Sequence, residues 1–315
     1  MFKKTLAAVS VGLALATAAQ AQDINFGIIS TEATQNLKAD WQPLIDDMSR
    51  QTGLKVTAFF APDYAGIIEG MRFNKVQVAW LGNKSAMEAV DRANAEVFAQ
   101  MVNADGTQGY YSHLITHKDS AIQSLDDVLR NGKSLAFGNG DPNSTSGFLV
   151  PGFYVFAKNK INAKSHFKVV RNANHETNAL AVANKQVDVA TNNSENLAKI
   201  QERQPEKFKE IRVIWTSPLI PLDPMVMHKD LPAATKEKIK TFFYNYAKTD
   251  AREKQVVYKI SKLSGFKQSS NAQLTPIREL DLFSKRNKVE ADTTLAAADK
   301  AAKLAEIDKL LAGLQ

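Results

Sequence analysis

Residues 134–158 begin Ser134-Leu135-Ala136-Phe137 and run into Gly138-Asn139-Gly140-Asp141-Pro142-Asn143-Ser144-Thr145-Ser146-Gly147. A helix-like run, residues 148–158, follows. An apolar run, a Gly- and Pro-bearing loop and an apolar helical stretch make a strand–loop–helix unit. Three hydroxyl side chains stand together where that helix should start. A helix start offers unpaired N–H groups and a partial positive charge. With three hydroxyls added, it suits a tetrahedral oxyanion. Gly147 has no Cβ, so a ligand could approach the main chain there. No Lys follows, which excludes a Walker loop. Gly138-x-Gly140 lacks the third glycine of a dinucleotide fingerprint. On these ten residues alone, an ordinary Ser/Thr cap behind a proline turn is the commoner explanation.

The same alternation extends in both directions. Towards the N-terminus, strands are expected at residues 24–29, 55–60, 76–81 and 97–102. Helices are expected at 35–51, 63–73 and 83–93. In the first helix Leu37, Trp41, Leu44, Ile45 and Met48 share one face and Gly53 ends it. A further strand, 110–116, leads to a restart. It comprises a helix capped by Ser124, the 134–137 strand, the hydroxyl loop, and strands at 167–170, 187–191 and 211–215. Helices at 177–184 and 194–204 alternate with them. A proline-rich crossing holds Pro218, Pro221 and Pro224. Beyond it come a strand at 225–228 and helices around 233–246 and 251–262. Alternation of this kind implies an α/β fold with mostly parallel sheets.

Two successive α/β blocks and a return segment imply two lobes with a ligand cleft between them. Crossings are expected near residues 115–117 and 216–218. Lobe 1 is then 22–115 plus 217–285, lobe 2 is 116–216, and 286–315 is a C-terminal helical tail. Leu304, Ile307 and Leu311 give that tail a short apolar stripe. The stripe is read as packing back on the body, with a homodimer through the C-terminal helices as the alternative.

The 315 residues, 44% of them hydrophobic, suffice for one large or two medium domains. Residues 1–21 read as a cleaved signal peptide: Lys3 and Lys4, then an apolar stretch from Leu6 to Thr17, then Ala19-Gln20-Ala21. Cleavage after Ala21 implies export to the periplasm. The apolar stretch is too short for a stable membrane span. There is no cysteine, which excludes a thiol nucleophile, a lipid-anchored N-terminal cysteine and cysteine metal sites. The formal charge of +7, or +5 without Lys3 and Lys4, is interspersed with acids, and no run would track a nucleic acid. His113 and His117 are four apart but in a strand without a third ligand, so no metal is expected, and no cofactor either.

Several long segments carry a family resemblance. They are Asn25-Phe26-Gly27-Ile28-Ile29-Ser30-Thr31-Glu32, Phe59-Phe60-Ala61-Pro62-Asp63-Tyr64-Ala65-Gly66-Ile67-Ile68 and the stretch from Phe137 through the hydroxyl loop to Phe148. His175-Glu176-Thr177-Asn178-Ala179-Leu180, Asp188-Val189-Ala190-Thr191-Asn192-Asn193-Ser194-Glu195-Asn196 and Ser217-Pro218-Leu219-Ile220-Pro221-Leu222-Asp223-Pro224 continue it. The chain resembles the PhnD-like periplasmic phosphonate-binding proteins of ABC importers, up to about residue 285. The resemblance implies a type II periplasmic binding fold, a non-catalytic role and delivery of ligand to an inner-membrane permease. It places the phosphonate on Ser144, Thr145 and Ser146, with Tyr64 and His175 reaching the same group. It places the amine of an aminoalkylphosphonate, such as 2-aminoethylphosphonate, against Glu195 and Asp223, with Tyr110 at the same end. Leu81 stands where a member of that family has an aromatic residue, and Met225-Val226-Met227-His228 differs as well. Both bear on the preferred organic group.

Each residue also has a plainer role. His175 could cap its helix, Glu195 could complement a helix dipole, Asp223 could build a turn, and Tyr64 and Tyr110 could be core aromatics. Three other functions stay in view. The ligand could be another oxyanion, such as phosphite, a sulfonate or a phosphate ester. The chain could be an exported hydrolase using Ser144, although Gly-x-Ser-x-Gly is absent and no Asp–His pair is evident. It could present ligand to a membrane sensor instead of an importer.

Overall fold

The computed structural model describes residues 23–314; the expected leader and its cleavage site lie outside the described residues. The strands are β1 (Asp23–Ile28), β2 (Lys55–Phe60), β3 (Val78–Trp80), β4 (Ala95–Asn103), β5 (Gly109–Tyr110), β6 (Ser112–His117) and β7 (Ala136–Asn139). They continue with β8 (Val169–Asn172), β9 (Val189–Asn193), β10 (Ile211–Thr216), β11 (Ile220–Pro221), β12 (Pro224–His228) and β13 (Leu263–Gln268). One sheet has the order β13-β4-β12-β3-β1-β2 and a second has the order β10-β6-β9-β7-β8.

The two sheets repeat one wiring. In each, the first strand (β1 or β7) pairs in parallel with the second (β2 or β8) and the third (β3 or β9). A strand arriving from the other half then inserts antiparallel beside the third. It is β12 in the first sheet and β6 in the second. The fourth strand, β4 or β10, pairs with that guest. Each half therefore donates one strand to the other, and a two-stranded link of β5 and β11 joins them. Residues 115–117, one expected crossing, lie inside β6, so the chain changes sheets earlier, at Tyr111. Below, "first lobe" and "second lobe" mean the elements built on the first and second sheet.

The helix Thr34–Thr52 shows why the first lobe holds. Leu37, Trp41, Leu44, Ile45 and Met48 are all buried, and Gly53 ends the helix at φ 68°. Each such burial is worth about 1.5–3 kcal/mol. Trp41 stacks on Trp80 of β3 at 5.0 Å, and this ties the helix to the strand that opens on the cleft. The second lobe has its own core, with Phe137 stacked on Phe167 at 4.4 Å.

The sheets are mixed and not mostly parallel, because the guest strands and those beyond them run antiparallel to their neighbours, and three further features depart from the sequence reading. The run 148–158 is two π-helical segments, Thr145–Leu149 and Gly152–Ala157, with Pro151 between them. Leu149 N–H bonds Ser144 O and Lys158 N–H bonds Phe153 O, both five residues back. Pro151 has no N–H to continue a regular ladder. Strand β13 was not expected, because Gly265 interrupts its alternation; Gly265 sits at φ 149° in a register shift against β4. The chain ends in two helices, Thr275–Ala291 and Ala297–Ala312. They are clamped by Arg286 to Asp308 at 2.8 Å. Leu304, Ile307 and Leu311 of the expected stripe are only half-buried there.

Candidate ligand-binding cleft

The repeated wiring sends the loops after β1, β2 and β3 and those after β7, β8 and β9 towards one another. Such strand ends, at a switch in strand order, are where open α/β sheets bind ligands. Six helix starts converge, at Thr34, Tyr64, Asn83, Thr145, His175 and Ser194. They surround a cavity of about 40 Å³. A single water needs roughly 10–15 Å³ by this measure, so the space suits a ligand of a few heavy atoms. All eight expected site residues line it: Tyr64, Tyr110, Ser144, Thr145, Ser146, His175, Glu195 and Asp223.

At one end stands the hydroxyl triplet. Ser144 is the N-cap, its Oγ accepting from Gly147 N–H at 2.9 Å. Ser146 Oγ accepts from Asn193 Nδ2 at 3.0 Å, and Ser112 Oγ donates to Ser146 O at 2.6 Å. Thr145 Oγ1 reaches the other lobe and accepts the backbone N–H of Lys84 at 2.8 Å. Each hydroxyl still has a hydrogen to donate. Tyr64 and Tyr110 line the same cavity, and the Tyr110 hydroxyl donates to Asp223 at 3.2 Å. Burial and the nearby carboxylates push both phenols far up, so both stay neutral donors.

His175 is not the cap of its helix. Asn174 is, accepting from Thr177 N–H at 2.8 Å. The buried His175 ring puts Nε2 3.4 Å from Ser144 Oγ, 3.5 Å from Ser146 Oγ and 3.2 Å from Asn193 Nδ2. Burial lowers its pKa to about 4, so the ring is neutral. The serine–histidine contact that the sequence did not reveal is therefore present. His175 Nδ1 is nevertheless buried without a partner. A hydrolytic triad needs an acid at that atom.

Gly147 serves a different purpose from the expected one. A Cβ there would meet Ser144 Oγ at 2.9 Å, Gly140 Cα at 3.1 Å and His175 Cε1 at 3.1 Å, so protein fills the space a ligand was expected to use. Gly140 packs face to face with it, and its N–H bonds Gly147 O at 3.0 Å. A Cβ on Gly140 would lie 2.4–2.5 Å from Gly147 backbone atoms. Gly140→Ala must shift the main chain that aims the triplet. It is expected to cost about 1–3 kcal/mol, seen as a lower thermal midpoint, and to weaken anion binding in calorimetry.

At the other end stand two acids from opposite lobes. Asp223, in the first lobe, accepts from Trp80 Nε1 at 3.1 Å and from Tyr110 OH at 3.2 Å. Glu195, in the second, accepts at 3.4 Å from Ser261 Oγ, at the end of the first-lobe helix Ala251–Ser261. Burial pushes the Glu195 carboxyl up to about 7, against the pull of Lys199. Burial and the charge of Glu195 raise Asp223 well above the carboxylate range. Neither acid is a helix-dipole partner or turn-builder alone. Asn193 is the N-cap of the helix Ser194–Arg203, and Asp223 takes two side-chain donors.

The lobes are held together around this cavity by groups the sequence did not single out. Ala33 N–H donates to Glu176 Oε2 at 2.7 Å and Tyr64 N–H to Asp141 Oδ2 at 3.2 Å. With Lys84 N–H to Thr145, all three first-lobe helix starts are met by side chains from the second lobe. Two of them, behind Ala33 and Gly82, have no side-chain cap of their own. Beside them Lys199 Nζ lies 2.5 Å from Glu32 and 3.2 Å from Asp40, and Arg203 pairs with both acids. The i, i+4, i+8 spacing of Glu195, Lys199 and Arg203 is a signal the sequence did carry. Nothing local marked Glu32 or Asp40.

His113 and His117 do not converge on one point. His113 Nδ1 is 3.1 Å from Thr216 Oγ1, while His117 Nε2 is 3.1 Å from Glu210. Asp119 completes a potential ligand trio with His117 and Glu210. Both acids there are already matched by lysines, Glu210 by Lys118 at 2.9 Å and Asp119 by Lys185 at 3.7 Å. Among the described residues, no helix is long and apolar enough to cross a membrane.

Two cross-threaded α/β lobes around a small polar cavity define a solute-binding protein of the type II periplasmic class. Residues 26–274 match the family model described as "ABC transporter, phosphonate, periplasmic substrate-binding protein". The chain is 61% identical over 292 residues to the phosphonates-binding periplasmic protein of Escherichia coli, covering 93% of this chain and 86% of that one. A crystal structure of a binding protein component of an ABC phosphonate transporter from Pseudomonas aeruginosa superposes with a TM-score of 0.91. It is 56% identical, covering 93% of this chain and 97% of that one. At the level of fold alone, PhnD1 of Prochlorococcus marinus in complex with methylphosphonate gives a TM-score of 0.73. Its identity is 21%, over 82% of this chain and 97% of that one. The chain belongs to the family of periplasmic substrate-binding proteins of phosphonate ABC transporters. It is a binding component and not an enzyme.

Proposed function

We propose that the chain captures small phosphonates bearing an amine, with 2-aminoethylphosphonate the best fit, and hands them to an inner-membrane permease. One observation carries this reading: a single small cavity with hydroxyl donors at one end and two carboxylates, Asp223 buried and Glu195 half-buried, at the other. A phosphonate carries between one and two negative charges near neutral pH. Oriented neutral dipoles can hold it without lysines if every oxygen finds a donor. Ser144, Thr145, Ser146, Tyr64, and a His175 with its hydrogen on Nε2, would serve. Glu195 and Asp223, with Tyr110 between the two ends, would take the ammonium. The proposed lobes follow the sheets, and export with cleavage after Ala21 belongs to the same reading. So does a homodimer through the C-terminal helices, where Phe283 and Leu310 are exposed.

Calorimetry with 2-aminoethylphosphonate, methylphosphonate, phosphate and phosphite tests the ligand. The expected order places the aminophosphonate first. Folded protein that binds none of them, or that prefers phosphate or phosphite, would overturn the assignment.

A further inference from the structure

Glu195 and Asp223 come from opposite lobes, so they meet only when the cleft is shut. Asp223 is anchored in the first lobe, where its carbonyl accepts Met101 N–H of β4 at 3.0 Å. Glu195 rides the first turn of the helix Ser194–Arg203 in the second. Shutting the cleft thus brings two carboxylates into one small cavity, with Asp223 buried and Glu195 half-buried. Like charges in such a place cannot both stay ionised cheaply.

The surrounding groups do not relieve this. From its own helix, Glu195 faces Lys199, but that ammonium is already bonded to Glu32 and Asp40. From the helix Ala251–Ser261 it receives only the Ser261 hydroxyl. From the remaining walls the pair meets Tyr64 and Tyr110, both neutral, the Trp80 indole N–H, and His175, kept neutral by burial. The hydroxyl end adds no cation. Among the described cavity-lining residues, none holds an uncommitted positive charge for these two acids.

We propose that Glu195 and Asp223 form a charge gate: the lobes shut around a phosphonate only with one positive charge between the two carboxylates, either the ligand's own ammonium or a proton taken from solvent. This rests on the phosphonate reading above and deepens it. An aminoalkylphosphonate brings the charge with it. An alkylphosphonate without an amine must recruit a proton, which adds to one carboxylate oxygen and leaves the pair with a single negative charge.

The sign of the pH effect follows. Closure raises both carboxyls of the pair, chiefly by burial: Glu195 to about 7 and Asp223 well above the usual carboxylate range. A carboxyl whose value is raised by closure favours closure at low pH, and that advantage is lost as pH rises through the closed-state value. Affinity for an amine-free ligand should therefore fall as pH rises from roughly 5, by up to about tenfold per pH unit for each proton the pair takes up. Affinity for the aminophosphonate escapes this loss, so selectivity for the amine grows with pH.

The test compares ethylphosphonate with 2-aminoethylphosphonate at pH 6 by calorimetry, in buffers of different ionisation heat, to count protons. Wild-type protein is expected to take up about one more proton with ethylphosphonate than Glu195→Gln does. Ionisation of the phosphonate itself occurs in both proteins, so the difference isolates the pair. Glu195→Gln should also bind ethylphosphonate more tightly than wild type at pH 8. Equal proton counts in the two proteins, with ethylphosphonate bound by both, would sink the gate alone. Failure of wild type to bind either phosphonate would sink the gate together with the ligand assignment.

Discussion

Asp223→Asn is expected to weaken 2-aminoethylphosphonate by about 2–5 kcal/mol, roughly thirty- to several-thousand-fold, while changing ethylphosphonate far less. Two causes act in the same direction. The substitution removes a fully desolvated negative charge from the wall that would face the ammonium. It also places an amide NH₂ among donors. Asp223 now accepts from Trp80 Nε1 and Tyr110 OH with separate oxygens. An asparagine can keep Trp80 on its oxygen and turn its N–H to the Tyr110 oxygen, which can accept, but the Tyr110 hydrogen then needs a new acceptor. Glu195→Gln separates the two causes, because Glu195 has only the Ser261 hydroxyl, which can donate to the amide oxygen. A loss in Asp223→Asn that exceeds the loss in Glu195→Gln therefore measures the displaced Tyr110 hydrogen bond. Titrations of both variants with both ligands make the check. Equal losses for ligands with and without an amine would mean that the acids hold the cleft and do not read its contents.

How much of this could be read beforehand depends on whether a signal was local. The strand–loop–helix units were legible because burial imposes a period of two or 3.6 on neighbouring residues. Leu37, Trp41, Leu44, Ile45 and Met48 show it directly. The Ser-Thr-Ser stretch was legible as a helix start because capping is also local. What it does beyond capping was not, since Thr145 caps a helix sixty residues away in the other lobe. The roles of Glu195 and Asp223 entered only through family resemblance, because their chemistry exists only when two distant segments meet. Gly147 was assigned a ligand-facing role for want of knowing that Gly140 would pack against it. The π-helical turns were hidden because i−5 bonding leaves no periodic mark in so short a run. β13 was hidden by a glycine in its middle.

The ionic network between the lobes is expected to control affinity through closure of the cleft, although Glu32 and Lys199 also line the cavity. Glu32 and Asp40 are 3% and 1% exposed, and their cations, Lys199 and Arg203, come from the opposite lobe. Opening the cleft parts them and returns all four charges to water. Shutting it recovers their attraction at the cost of drying them, a trade that comes out favourable only when the pairs are complete. Removing both cations by Lys199→Met with Arg203→Met leaves two carboxylates buried and unpaired in the shut form. The expected penalty on closure is about 3–5 kcal/mol, or roughly two to three and a half orders of magnitude in affinity for any ligand, with or without an amine. The partial exposure of Arg203 places the result nearer the lower end. Adding Glu32→Gln and Asp40→Asn to the pair should restore most of the loss, because neutral amides need no counter-charge. Small-angle scattering supplies the second readout: the double variant should stay extended at ligand concentrations that compact the wild type. Unchanged affinity in the double variant would refute this role. So would a fall in the ligand-free melting temperature that the Gln and Asn substitutions do not repair, since it would place the network's effect within a lobe and not between the two.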